Sequence, residues 1–142
     1  MTRATDQGSA VVEFVALSAL LVVPVVYLIL TVFTLQGAAL AAAGAARDAG
    51  RLIATHSDLP GALAAARSNT QLAFADFGLD VDPQVEISCA GGCTAPGEAV
   101  TVTVHTSVPL PLLPDFAVAG LGAHVPISAS AVAVLDRYVE RG

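Results

Sequence analysis

The residues with the clearest chemical potential in this chain are a glycine and an acid that precede a long apolar run. The segment reads Gly8-Ser9-Ala10-Val11-Val12-Glu13-Phe14, and no further charged residue appears until Arg47. An ionisable group costs ~2.5–3.5 kcal/mol at the centre of a membrane-spanning helix, and such groups mark functional sites by default. Glu13 therefore needs a cationic partner. Cutting the chain between Gly8 and Ser9 would create one, because the new α-amino group carries a positive charge.

The apolar run that follows has the length of a membrane span. Residues 14–35 carry no charge, and as an α-helix they would extend ~33 Å, against ~30 Å for the hydrocarbon core of a bilayer. The helical pattern continues to about Ala54. A helix of that length exceeds any bilayer, so its last part is predicted to project from the membrane.

Small residues dominate the second half of this helix. Gly37 and Ala41 are spaced four apart, as are Ala38 and Ala42. Small side chains at this spacing allow two helix backbones to approach closely. The pattern predicts helix–helix packing along this face, the simpler alternative being a segment that is merely rich in a good helix former.

Composition restricts the remaining part of the chain to one small domain with a modest core. Only 13% of the 142 residues are charged, the net charge is −6, and there is no basic run. Nucleic-acid binding is therefore not expected.

The two cysteines, Cys89 and Cys93, predict one disulfide in an oxidising compartment. A zinc site would need four ligands, and the histidines are scattered, so neither a metal nor a cofactor is expected.

The periodicity after residue 56 predicts an α+β fold. A helix is expected from a cap at Ser57 or Asp58 to Gly78. Alternating apolar and polar residues predict strands at 81–88 and 100–105, joined as an antiparallel hairpin, and a third strand at 127–135. The fold class is thus a long N-terminal helix, a short helix and a small antiparallel sheet of about three strands.

A glycine, four residues, a glutamate and a phenylalanine at the head of an apolar helix resemble the prepilin-peptidase site of type IV pilin-like proteins. The form seen here is most similar to the TadE-like minor pilins of tight-adherence (Tad/Flp) pili. The resemblance covers the whole chain and includes a Pro-rich apolar stretch, here Val108-Pro109-Leu110-Pro111-Leu112-Leu113-Pro114. It implies a leader at 1–8, a transmembrane and projecting helix at 9–55, and an extracytoplasmic domain at 56–142.

The resemblance also implies roles for particular residues. Gly8 and Ser9 would flank the cleaved bond, and Glu13 with Phe14 would set the register of assembly. The implied partners are a prepilin peptidase, other pilin and minor pilin subunits, the Tad assembly platform in the cytoplasmic (inner) membrane, and the lipid bilayer. The expected function is that of a minor pilin or pseudopilin in pilus assembly or surface adhesion.

Two other interpretations remain open from the sequence. The chain could be a single-pass membrane anchor whose outer domain binds a ligand without polymerising. It could also be a secreted domain released by signal peptidase near Ala43 or Ala46. No catalytic constellation is recognisable, so we expect a non-enzymatic protein. The Pro-rich stretch, continued to residue 121, is interpreted as an apolar loop packed on the sheet or as an exposed contact patch for a neighbouring subunit or the membrane surface.

Overall fold

The computed structural model describes residues 7–93 and 95–138. One helix, α1 (Gln7–Thr55), runs through 49 residues with Pro24 in its interior. Its end agrees with the predicted end near Ala54. By contact density the chain divides into two compact units, residues 1–33 (unit 1) and 34–142 (unit 2). The boundary lies inside α1, well before the boundary at 55/56 expected from the sequence.

Unit 1, as described, is a bare apolar helix. Every described side chain from residue 10 to residue 33 is exposed or half-exposed. Among the described residues, α1 is the one helix that is long and apolar enough to span a membrane. A helix that is hydrophobic on all sides requires an apolar environment, so the predicted membrane-spanning capacity is confirmed.

Unit 2 contains a second helix, α2 (Leu59–Ala75), that begins as predicted. Asp58 is its N-cap, and the Asp58 carboxylate accepts a hydrogen bond from the Gly61 backbone N–H at 3.0 Å. Pro60 lies in the first turn, where its missing N–H has no intrahelical partner to lose. Gly78, the predicted end, follows in the left-handed region at φ 69°.

A three-stranded antiparallel sheet completes unit 2. Its strands are β1 (Gln84–Cys89), β2 (Ala99–Pro109) and β3 (His124–Val134), in the order β1-β2-β3. The predicted hairpin is confirmed, with Val85 opposite Val104, and the third strand lies beside β2, with Val102 opposite Ala131. The α+β fold expected from the sequence is therefore correct.

The segment between β2 and β3 contains a helix that the sequence did not predict. Helix α3 (Asp115–Leu121) spans seven residues and ends at Gly122 in the left-handed conformation. The Leu110 backbone N–H donates to the Ala123 carbonyl at 3.1 Å and closes the segment at its base. We call residues 110–123 the β2–β3 excursion.

The core of unit 2 lies between the helices and one face of the sheet. The centre strand contributes Val100, Val102, Val104 and Val108, all at most 1% exposed. Helix α2 contributes Ala62, Ala66, Thr70 and Phe74, and the second half of α1 contributes a row of alanines. At Gly50 the approach is so close that an added Cβ would lie 3.3 Å from the Ala133 Cβ.

Candidate functional site

The predicted processing site lies in the first turn of α1. The helix begins at Gln7, so the Gly8–Ser9 peptide bond is helical. Helix ends fray, and Gly is ~1 kcal/mol less favourable than Ala within a helix. The bond that the resemblance marks for cleavage therefore lies in the first described turn of α1.

Glu13 and Phe14 are exposed one turn further along. Phe14 is 70% exposed, and Glu13 is also exposed. Within residues 7–93 and 95–138 no ion pair or hydrogen bond involves the Glu13 side chain. Glu13 thus stands on an apolar helix with its charge available to a partner outside the described chain.

The spacing of Ser9 and Glu13 allows two kinds of pairing after a cut. They are one turn apart, ~6 Å along the axis, and helical side chains tilt towards the N-terminus. A pairing within one helix is worth only ~0.3–0.5 kcal/mol when exposed. A pair between two chains at ~4 Å in an effective dielectric near 20 gains ~4 kcal/mol before desolvation. At equal distance and dielectric the Coulomb energy is the same within one chain or between two, so an advantage of pairing between chains comes from a neighbouring helix that excludes water from the pair.

The small residues of α1 pack inside unit 2. Ala38, Ala41 and Ala42 are at most 2% exposed and belong to the core cluster that also holds residues of α2 and of the sheet. An added Cβ on Gly37 would lie 3.2 Å from the Phe77 ring. These residues are therefore buried inside unit 2, and the helix–helix packing expected from their spacing stays a prediction.

The buried face of α1 extends further than the positions predicted from the sequence. It continues at helical spacing beyond residue 42, through Ala45, Ala46, Ala49 and Ile53. Arg47, Asp48 and Arg51 lie between them on the exposed side. This alternation is typical of an amphipathic helix on a core, and it was the available signal that residues 45–53 of α1 pack on the domain that follows.

Cys89 and Cys93 form the predicted disulfide, with Cα atoms 5.2 Å apart. The bond closes the turn that leaves β1, and Cys93 is itself in the left-handed region at φ 64°. The Glu98 carboxylate accepts a hydrogen bond from the Gly91 backbone N–H in the same turn. These contacts fix the β1–β2 connection. Among the described residues no group of three or more His, Cys, Asp or Glu side chains could hold a metal ion.

The outer face of the sheet is polar at its centre, while Val132 and Val134 are exposed at the end of β3. Glu86 and His105 face each other across β1 and β2 at 3.2 Å between Oε2 and Nε2. Thr103 on the centre strand lies between Glu86 and Ser130 in the register. This face is open to solvent and offers hydrogen-bonding groups to a ligand.

The β2–β3 excursion exposes large apolar side chains. Leu112, Phe116 and Leu121 are 75%, 80% and 78% exposed; we call these three residues the apolar rim. Beneath it lies a shallow pocket of ~380 Å³, lined by Pro109, Leu110, Leu113, Val118, Ala119 and His124. Of the two outcomes expected for this stretch, packed loop or exposed patch, the structure contains both, since Val118 is buried and the rim is not.

No protein-family model, curated protein or solved structure matches the chain. Three local features therefore bear on its function. These are the Gly8–Phe14 segment at the start of an exposed apolar helix, the separate disulfide-bonded unit 2, and the exposed groups on that unit.

Proposed function

We propose that this chain is a minor pilin or pseudopilin of the TadE-like type, which a prepilin peptidase cuts between Gly8 and Ser9. The observation that carries the proposal is Glu13, which has no side-chain partner among the described residues, at the start of a helix that is apolar and exposed on all sides up to residue 33. Such a helix needs lipid before assembly and other helices after it. The charge needs a cation, and cleavage would supply one at the first residue of the mature helix, as the α-amino group of Ser9.

In this proposal, cleavage and assembly are two steps of one process. Cleavage produces the amine at Ser9, and the amine of one subunit pairs with Glu13 of its neighbour. A buried charge without a partner is strongly destabilising, so the pairing favours one stagger of adjacent helices. The partners are then other pilin subunits and the Tad assembly platform of the cytoplasmic membrane, with unit 2 outside the cytoplasm.

A second candidate function is a single-pass membrane anchor that carries a binding domain and does not polymerise. Burial of Ala38, Ala41 and Ala42 within unit 2, with Gly37 beside the Phe77 ring, favours it, because this face of α1 is then unavailable to another subunit. The open polar face of the sheet would be the binding surface. In that case Glu13 would sit at the lipid headgroups and form no specific pair.

The experiment that tests the proposal is expression of the full chain with a prepilin peptidase and the matching assembly proteins. We expect a mature chain that begins at Ser9, determined by mass spectrometry of the intact protein. Gly8→Leu should remain uncut. Glu13→Ala should be cut normally but be missing from sheared filaments, because the amine of the neighbour loses its partner.

Two matched variants act as controls. Glu13→Asp keeps the charge and should retain part of the incorporation, whereas Ser18→Ala changes a polar residue one turn further along and should behave like the unaltered chain. A mature chain that starts at Met1 or Thr2 would favour the plain anchor. A start beyond Ala41 would favour secretion. Normal incorporation of Glu13→Ala would refute the register role.

A further inference from the structure

The apolar rim lies at a defined end of unit 2. The β2–β3 excursion joins the last residue of β2, Pro109, to the first of β3, His124. The backbone bond between Leu110 and Ala123 and the buried Val118 hold it in place. The rim is therefore part of a folded segment with its large side chains turned outward.

Helix α1 enters unit 2 at this same end. Near the other end of the sheet, Gly50 packs on Val102, and the Asp136 N–H donates to the Ala54 carbonyl. From Gly50 back to Thr34 is ~24 Å along the helix, and from Val102 to Pro109 is also ~24 Å along β2. Thr34, the first residue of unit 2, is consequently level with the start of the excursion.

A second contact independently fixes the direction in which α1 runs along the sheet. Gly37 lies against Phe77 in the turn after α2. The chain leads from this turn into β1, whose first residue Gln84 is opposite His105 on the second half of β2. The early residues of α1 in unit 2 and the later residues of β2 therefore share one end.

We propose that the apolar rim inserts into the interfacial region of the lipid bilayer and docks unit 2 on the membrane surface. This inference rests on the membrane insertion of residues 14–33, which is part of the proposed function. Unit 2 is tethered to that segment at Thr34, at the end that carries Leu112, Phe116 and Leu121. Exposed aliphatic and aromatic side chains beside a lipid tether match the chemistry of interfacial anchors.

The charges at this end indicate which lipid the rim prefers. The segment between α2 and β1 carries Asp76, Asp80 and Asp82, none of them buried. Residues 107–123 contain no basic side chain. An anionic surface attracts basic segments and repels acidic ones, so the expected occupant is a zwitterionic phosphatidylcholine-like surface.

The chain has no tryptophan, so a single introduced indole reports its own surroundings. The full chain is reconstituted at low density in phosphatidylcholine vesicles with brominated acyl chains, as Phe116→Trp, Phe33→Trp or Tyr138→Trp. Phe33 lies in the apolar segment, and Tyr138 is 95% exposed, two residues beyond the Asp136 that bonds α1 at its end. We expect bromolipid to quench the indoles at 116 and 33 several-fold more than the one at 138.

The outcomes separate the rim from the membrane segment. Quenching at 33 without quenching at 116 would overturn the docking and leave the membrane span intact. Absence of quenching at 33 would overturn both the docking of the rim and the membrane span. A blue-shifted indole at 116 that bromolipid does not quench would assign the rim to a protein neighbour and overturn the lipid assignment. Leu121→Trp repeats the measurement at a second rim position, and anionic lipid should reduce quenching at both.

Discussion

The two halves of α1 have the same secondary structure but opposite surroundings. Up to Phe33 the helix carries large aliphatic side chains that are exposed on all sides. From Ala38 onward one face is nearly all alanine and fully buried, while Arg47 and Arg51 mark the other. Side-chain size thus differs between the halves, since the half that packs closely on the sheet accepts only small residues whereas the exposed half carries large ones.

The largest effect should come from placing charge on the apolar half. The double variant Leu20→Arg/Val23→Arg adds roughly 5–7 kcal/mol to the insertion cost, by the value for each central charge. We expect loss of membrane integration, measured by carbonate extraction. Leu40→Arg is the matched control, because Leu40 is similarly exposed but belongs to unit 2. Comparable loss in the control would contradict the division of α1.

The second-largest effect should come from a larger side chain on the buried half of α1. Ala42 is 0% exposed, so Ala42→Leu should overpack the core and lower the free energy of unfolding by ~1–3 kcal/mol. Denaturation of the full chain in detergent, followed by hydrogen exchange of β2 amides, measures this. The reverse substitution in the apolar half, Leu28→Ala, should leave β2 protection unchanged. Equal destabilisation by both would mean that the two halves share one core.

The smallest effects come from two glycines on different faces. Gly44 has open space where a Cβ would stand, so Gly44→Ala should stabilise unit 2 by ~0.5–1 kcal/mol through helix propensity. Gly50→Ala meets Ala133 at 3.3 Å, so the same gain should be cancelled or reversed. The difference between the two, measured as above, reports how tightly α1 approaches the sheet. Identical effects would show that the interface at Gly50 is loose.

Much of this fold could be predicted from the sequence because the patterns are local. The cap at Asp58, the alternation around Val102 and the paired cysteines each specify a feature through residues close in the chain. Helix α3 could not be found in this way. It is seven residues long, and Pro114 at its N-cap makes no side-chain hydrogen bond, so its stability depends on tertiary contacts of Val118.

The features of the candidate site also differ in whether the sequence alone indicates them. Gly8, Ser9, Glu13 and Phe14 were found because a charge ahead of an apolar run is visible in the sequence alone. The boundary at Thr34 was not, because the helical period is unbroken there and only the partner changes. The apolar rim needed the structure too, since the sequence does not indicate which end of the sheet it occupies.

The backbone hydrogen bond from Asp136 to Ala54, which joins the end of α1 to the residues that follow β3, has a mechanical consequence. Unit 2 is entered at Thr34 at one end, and its last described residues follow the Asp136–Ala54 bond at the other. Tension between these points would run roughly along the strands and would load the contacts of α1 with the end of β3, at Gly50 beside Ala133 and at the Asp136–Ala54 bond. Such a load shears this interface along its length instead of separating it one contact at a time, so unit 2 would resist pulling in this direction better than lifting of α1 away from the sheet.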